Sequence, residues 1–336
     1  MIFYNPAIDK RLPDYGIEIP IAEERSGMVF KQLSALDPTL KYFDPEIIPE
    51  ITRADLELAH NPQFVSKLLG NYAELEREML ICFELISENG IYHRYNPKNA
   101  TKDFRDAFDK ILKQAGMTYY AAKDSLQSGF SYFLGGGMHH AMSFGGRGFC
   151  LINDIVIAIR KLQKEKLIKS AWVIDVDAHK GDGTAELTKN DPSIGTLSIH
   201  MKEGWPLDSG SIDDPWFIPS KIDIEIGAGE EGQYLTKLKA GLLELERLFP
   251  KPDLAIVVNG ADPYEYDELS STNQLKLTAL QLLERDILVY EFLGERKIPQ
   301  SYVMAGGYGK RSWEVYAQFL KFVWESSPER PEVSSR

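Results

Sequence analysis

From Asp154 onward the chain alternates short apolar, β-branched runs with longer amphipathic stretches. Ala171–Val176 (AWVIDV), Ile194–Ile199 (IGTLSI), Lys221–Ile226 (KIDIEI), Leu254–Asn259 (LAIVVN) and Ser301–Ala305 (SYVMA) read as strands. Asp154–Lys166, Glu230–Phe249 and Thr272–Leu293 read as helices. The second carries Leu235, Leu238, Leu242, Leu245 and Phe249 at helical spacing, and the third runs into Gly294 with Pro299 beyond. LAIVVN is apolar until its last residue, as a strand buried on both faces should be. The first 130 residues read mostly helical, with one segment over Asn61–Ser87 and a weaker one over Lys102–Gly116. Strands alternating with helices of this length predict crossover units on a parallel sheet. The expected fold is therefore α/β: a single three-layer domain with a mostly parallel central sheet flanked by helices. No linker, repeat or low-complexity block divides it, so one domain is expected over residues 1–325. The stretch from Glu325 is rich in Ser, Pro and charge, and predicts a flexible tail over 326–336.

Composition narrows the function classes. The chain has 336 residues, 43% of them hydrophobic, enough to bury a core without disulfide staples. Its net charge of −12 argues against broad binding to nucleic acid or an anionic membrane, which needs a basic field. Two cysteines, Cys82 and Cys150, can build neither a disulfide framework nor a four-cysteine zinc site. Met1–Pro6 shows no secretory signal, and no apolar run approaches the roughly 18 residues of a membrane span, so a cytoplasmic location is expected.

In open parallel sheets, ligands sit beyond the carboxyl ends of the strands, so the residues following each strand matter most. After AWVIDV, the residues Asp175, Asp177 and His179 are spaced by two. In extended chain this puts them on one face. After LAIVVN comes Asp262. Carboxylates and an imidazole from two strand ends form a mixed O/N site with an open fourth position, as a catalytic Zn²⁺ uses. Upstream, Gly135–Gly137 lead into Met138, His139 and His140. Adjacent histidines supply a general base and a general acid when their environments differ, and Asp175 and Asp182 are the natural carboxylates to orient them. The last strand runs into Gly306, Gly307 and Tyr308, where a tyrosine hydroxyl can donate to a developing oxyanion.

GGGMHHA at 135–141, GRGFCLIND at 146–154, VIDVDAHKGDGT at 173–184, NGAD at 259–262 and AGGY at 305–308 together resemble the zinc-dependent histone deacetylase family, which has the arginase–deacetylase fold. Order and spacing agree from about residue 20 to 325, most strongly over 118–310. The GGY turn, the DAH core and the following Lys310-Arg311 look closest to class IV members. The resemblance implies one Zn²⁺ held by Asp177, His179 and Asp262. His139 and His140 would be the tandem catalytic histidines, paired with Asp175 and Asp182, with His140 as the base and His139 electrostatic. Tyr308 would polarise the scissile carbonyl. Gly148 and Phe149 would line one wall of an acyl-lysine tunnel, Trp205 the opposite wall, and Leu269 the gate. Asp175, Ser198 and Ile199 would hold a structural K⁺, and Arg25 would lie beneath the active site. The implied activity is hydrolysis of acetyl or longer acyl groups from N-ε-acyl-lysine by a metal-activated water.

Some positions depart from the family or bear on rivals. Lys180 stands where the family often has a second histidine, and would set a cation beside the metal ligands. A two-metal guanidine hydrolase of the arginase branch needs further carboxylates where this chain has Gly181, Gly260 and Tyr264. An acetylpolyamine or other small-molecule deacetylase is the second enzymatic reading. Leu269 at the gate speaks for acyl-lysine or a neutral acyl amide, whereas Glu265, Asp267 and Glu268 nearby keep a polyamine open. A non-catalytic acyl-lysine binding protein is the alternative from another class. Substrate identity and oligomeric state are left open.

Overall fold

Among the described residues, seven strands, all parallel, lie side by side in the order β1-β2-β7-β6-β3-β4-β5. They are β1 (Ile2–Phe3), β2 (Phe130–Phe133), β3 (Ala171–Asp175), β4 (Ile194–Met201), β5 (Ile222–Ile226), β6 (Leu254–Asn259) and β7 (Gln300–Met304). This computed structural model describes residues 1–22, 24–87, 89–207 and 217–326. The expected tail lies outside the described residues apart from Ser326.

Among the described residues, ten α-helices accompany the sheet: α1 (Arg25–Leu36), α2 (Arg53–Leu56), α3 (Pro62–Leu69), α4 (Tyr72–Cys82), α5 (Phe104–Ser128), α6 (Asp154–Lys164), α7 (Asp182–Thr188), α8 (Tyr234–Leu248), α9 (Ala279–Glu295) and α10 (Ser312–Ser326). The period-two alternation of the strands sorts their side chains onto two faces. Trp172, Ile174, Val257, Tyr302 and Met304 face one core with residues of α1, α8, α9 and α10. Val173, Ile256, Val258 and Val303 face another with residues of α5 and α6. Both faces being covered explains why β3, β6 and β7 are buried at every position. A third apolar cluster joins α3, α4 and the first half of α5 to Cys150, Leu151, Ile152, Leu269 and Tyr308, and so packs the amino-terminal helices against the site.

All five strands expected from the pattern are present. The aromatic run before the glycines, not assigned as a strand, forms β2, and β1 pairs beside it. The Asn61–Ser87 segment is two helices, broken at Gly70 and restarted by Asn71, whose side chain caps Glu74 N at 3.1 Å. The segment expected to stop at Gly116 continues to Ser128, since Gly116 is a packing glycine: a Cβ there would fall 2.4 Å from the Pro49 carbonyl oxygen. The helix expected from Thr272 begins at Ala279, after a capping box between Thr278 and Gln281. Leu275 and Leu277, which extended the apolar pattern, are fully buried in the turn before it.

Strands β3, β4 and β5 step outward in sequence, and β6 then returns to the other side of β3. The connections diverge between β3 and β6. That is where an open parallel sheet leaves a crevice beyond its strand ends.

Candidate active site

Asp177 and His179 follow β3, and Asp262 follows β6. Their ligand atoms lie within 4.8 Å of one another, and all three side chains are buried. His179 Nδ1 is 3.0 Å from Asp262 Oδ2 and 3.2 Å from Asp177 Oδ1. Backbone donors fix the remaining oxygens: Gly306 N reaches Asp177 Oδ2 at 2.8 Å, and Ala178 N reaches Asp262 Oδ1 at 2.9 Å. Gly306 allows this approach, since a Cβ would fall 2.5 Å from both carboxylates. Ser271 Oγ lies 3.1 Å from His179 Nε2 and holds the ring by its other nitrogen.

The donor set fits a divalent cation. Two carboxylates confined beside each other without water repel, and burial together with Asp177 pushes the Asp262 carboxyl up. Burial would push His179 down, but the two carboxylates outweigh it and raise the imidazole to about 10. A positive charge at their centre satisfies all three groups, and two oxygens with one nitrogen suit Zn²⁺ with positions left open.

Two histidine–aspartate pairs stand beside this centre. His139 Nδ1 lies 2.7 Å from Asp175 Oδ2, and His140 Nδ1 lies 2.7 Å from Asp182 Oδ1. A carboxylate accepts, so each Nδ1 carries the hydrogen and each Nε2 is left for the pocket. The two rings lie 3.9 Å apart, centroid to centroid, in unlike settings. Burial opposes a charge on His139, but Asp175 and Asp177 outweigh it and raise the ring to about 9. Burial and the neighbouring His139 hold His140 down, to about 3, outweighing Asp182. The two rings are thus shifted in opposite directions, His139 toward the protonated form and His140 toward the neutral one.

Tyr308 follows β7, and its backbone N donates to Asp267 Oδ2 at 2.7 Å. Burial pushes its phenol well above the ordinary value, so the hydroxyl remains a donor. A pocket of about 110 Å³ joins Tyr308, His140 and His179 to Gly148, Phe149, Trp205 and Leu269. Phe149 lies 6.1 Å from the Tyr308 ring, and Trp205 lies 4.5 Å from His140 and 5.5 Å from His179. The expected wall and gate residues therefore surround one opening. Arg25 lies behind the site and donates through Nη1 to Gly307 O at 2.7 Å.

Other expectations change in detail. Lys180 does not face Asp177, His179 and Asp262: its ammonium is buried against Asp223, with Ser220 Oγ at 3.1 Å and the Phe217 ring at 4.7 Å. Asp267 lies outside the residues that line the pocket, its carboxylate accepting from Tyr308 N, Leu269 N and Thr272 Oγ1. Glu265 and Glu268 are exposed, outside the residues that line the pocket. Asp175 and Ser198 are register partners on β3 and β4, and Ile199 is buried next to them. Both oxygens of Asp175 already have partners in His139 Nδ1 and Asp177 N.

Several further residues shape the site. Asp154 accepts from Gly137 N at 3.0 Å, Met138 N at 2.7 Å and Thr118 Oγ1 at 2.5 Å, and so anchors the histidine loop. His60 lies between Met142 O (2.9 Å from Nδ1) and Asn153 N (3.0 Å from Nε2), one donor and one acceptor, which only the neutral ring supplies. Buried Arg285 donates through Nη1 to Val176 O at 3.0 Å and Gly260 O at 2.8 Å, joining the two strand ends that carry the ligands. Glu84 and Arg94 line the tunnel mouth from the amino-terminal half. The GRGFCLIND motif already contains Asp154; the others would need the contacts of the folded chain to be found.

Comparison with known proteins agrees with this geometry. The profile described as "Histone deacetylase domain" matches residues 19–323. An uncharacterized protein of Picosynechococcus sp. is 29% identical over 301 residues, covering 89% of this chain and 91% of that protein. Histone deacetylase 2 of Arabidopsis thaliana is 32% identical over 62% of this chain, and the acetoin utilization protein AcuC of Bacillus subtilis is 28% identical over 57%. The aligned segments span only 52% and 49% of those two proteins. The crystal structure of the HDA15 HD domain superposes with a TM-score of 0.71 over 98% of this chain and 90% of its own, at 17% identity, and so shares the fold. Matched over most of its length, the chain belongs to the histone deacetylase domain family.

Proposed function

We propose that the chain is a zinc-dependent amidohydrolase that removes acetyl or longer acyl groups from N-ε-acyl-lysine. One observation carries the reading: Asp177, His179 and Asp262 converge beside two differently poised histidine–aspartate pairs and Tyr308, at the end of a narrow tunnel. Zn²⁺ held by the three ligands would supply Lewis acidity, polarising the acyl carbonyl and making water acidic near neutral pH. His140, held neutral, accepts the proton of the attacking water at Nε2 and returns it to the leaving amine. His139, held protonated by Asp175, stabilises the negative charge that develops beside it. The Tyr308 hydroxyl donates to the carbonyl oxygen as it becomes an oxyanion. Phe149 and Trp205 enclose the apolar stem of a lysine side chain and exclude water.

Leu269 lines the pocket and Asp267 lies outside the residues that do, which favours acyl-lysine over an acetylpolyamine. No helix among the described residues is long and apolar enough to cross a membrane. The test is direct. Purified protein should carry about one Zn²⁺, as a mononuclear site does, and should hydrolyse a fluorogenic acetyl-lysine amide with loss on chelation. A metal-replete protein that binds acetyl-lysine peptide without cleaving it would instead be a binding module.

A further inference from the structure

Behind the ligand centre, away from the tunnel mouth, lie two adjoining cavities of about 100 and 110 Å³. Lys10, Ile21, Arg25, Gly136 and Phe149 line both of them. The first also touches His139, His140, Asp177, His179 and Tyr308, so it opens onto the reacting centre itself. A single water needs roughly 10–15 Å³ of such space, so each cavity has room for on the order of ten water-sized groups, enough for a short acyl chain.

The charge of this floor is unusual. Arg25 lies in it, with Nη1 on the Gly307 carbonyl. Lys10 lies in it as well, and its ammonium makes no hydrogen bond or ion pair among the described residues. Of the nearby acids, Asp9 lines the second cavity with the two cations but forms no ion pair with either. Asp154 holds Thr118, Gly137 and Met138, and Asp9 accepts from Tyr4 Oη at 2.8 Å. Burial pushes the Lys10 ammonium below its ordinary value. Enclosing two cations beside a single carboxylate is unfavourable unless a further anion joins them. A carboxylate is the anion that a hydrolase of acyl groups would bring there.

We infer that Lys10 and Arg25 receive the far carboxylate of a dicarboxylic acyl chain, so that substrates include ω-carboxyacyl amides such as succinyl- or glutaryl-lysine. The inference rests on the amidohydrolase reading above and specifies its acyl group. The chemistry balances as an ordinary hydrolysis. Water oxygen bonds to the acyl carbon, the C–N bond breaks, and the leaving nitrogen takes the water's proton. A dicarboxylate and a free amine are released, with nothing oxidised or reduced. The two cations act on the end of the chain remote from the bond that breaks, and so bind and orient it.

The test uses the full, metal-replete chain and one lysine peptide acylated with acetyl, butyryl, succinyl, glutaryl or myristoyl groups. Succinyl or glutaryl peptide should exceed butyryl by about tenfold or more in kcat/KM, the size expected for one buried charge pair. Myristoyl should be the poorest. Lys10→Met should lower the glutaryl-to-acetyl ratio of kcat/KM by about tenfold, and Lys10→Arg should restore it. Acetyl turnover with no preference for the carboxylated chains over butyryl overturns the inference and leaves the hydrolase reading standing. So does an equal loss on both substrates in Lys10→Met, which would mean that Lys10 serves the departing carboxylate or the fold. Failure of the metal-replete protein to cleave any acyl-lysine removes the hydrolase reading, and the inference with it. The comparison among acyl chains needs no variant, so a Lys10→Met protein that does not fold leaves the test intact.

Discussion

At the ends of β3 and β6, Asp177, His179 and Asp262 are at most 3% exposed, and backbone N–H groups hold both carboxylates. At the tunnel mouth, Glu84 and Arg94 sit on loops of the helical half, Glu84 exposed and Arg94 half-buried. The two regions share one pocket but answer to different constraints. A strand buried on both faces has a fixed register, so the first residues beyond it are placed to within a fraction of a side chain. A loop packed on only one side can change without disturbing the sheet. Chemistry should therefore depend on the strand ends, and stability and selectivity on the shell around them.

The sharpest way to break this comparison is at the ligand centre. Asp262→Asn should lose tightly bound metal and about 10³-fold or more in turnover, since several kcal/mol of transition-state stabilisation go with the ion. Metal analysis and acetyl-lysine kinetics check this, and a variant that keeps both would remove Asp262 from the site. Tyr308→Phe should keep the metal and lose about 10²–10³-fold in kcat, the usual cost of one oxyanion donor. Unchanged kcat with intact metal would leave the tyrosine a packing residue.

The shell should respond in stability. His60 is buried and held to about 4, first by burial, while its unfolded value is the ordinary 6.5. Between those values the unfolded chain binds a proton that the folded chain does not, so stability falls as pH drops from about 6.5 to 4. The shift allows a loss of up to about 3 kcal/mol over that window. Urea titrations should show this slope, and His60→Gln should flatten it. An identical slope in the variant would assign the acid sensitivity to other groups. The smallest effect belongs to exposed ion pairs. Arg53→Ala, at the Arg53–Glu57 contact, should change stability by about 0.5 kcal/mol or less.

The same contrast decides what could be read without the fold. Strands β3 to β7 were legible because a buried strand is a continuous apolar run, and their ends identified Asp177, His179, Asp262 and Tyr308. β2 was less so, since an aromatic run of four residues carries little pattern. The break between α3 and α4 and the length of α5 depended on Asn71 and Gly116, whose roles are set by a cap and by a distant carbonyl. Lys180 shows the limit most plainly. Its position beside His179 in the chain suggested a cation at the metal, yet its side chain turns to Asp223 on β5.

Local chemistry and periodicity by themselves determined the sheet, its buried strands and the kinds of group gathered at their ends. Those properties follow from side-chain polarity repeating along a short stretch. Only the tertiary structure decided which histidine stays neutral, where the Lys180 charge goes and which anchors hold the loops. It also brought Lys10, from the first turns of the chain, to the cavity behind residues some 130 to 300 positions away. Those outcomes depend on burial and on charges brought together by folding, and both fall off within a few ångströms in space, whatever the separation in sequence.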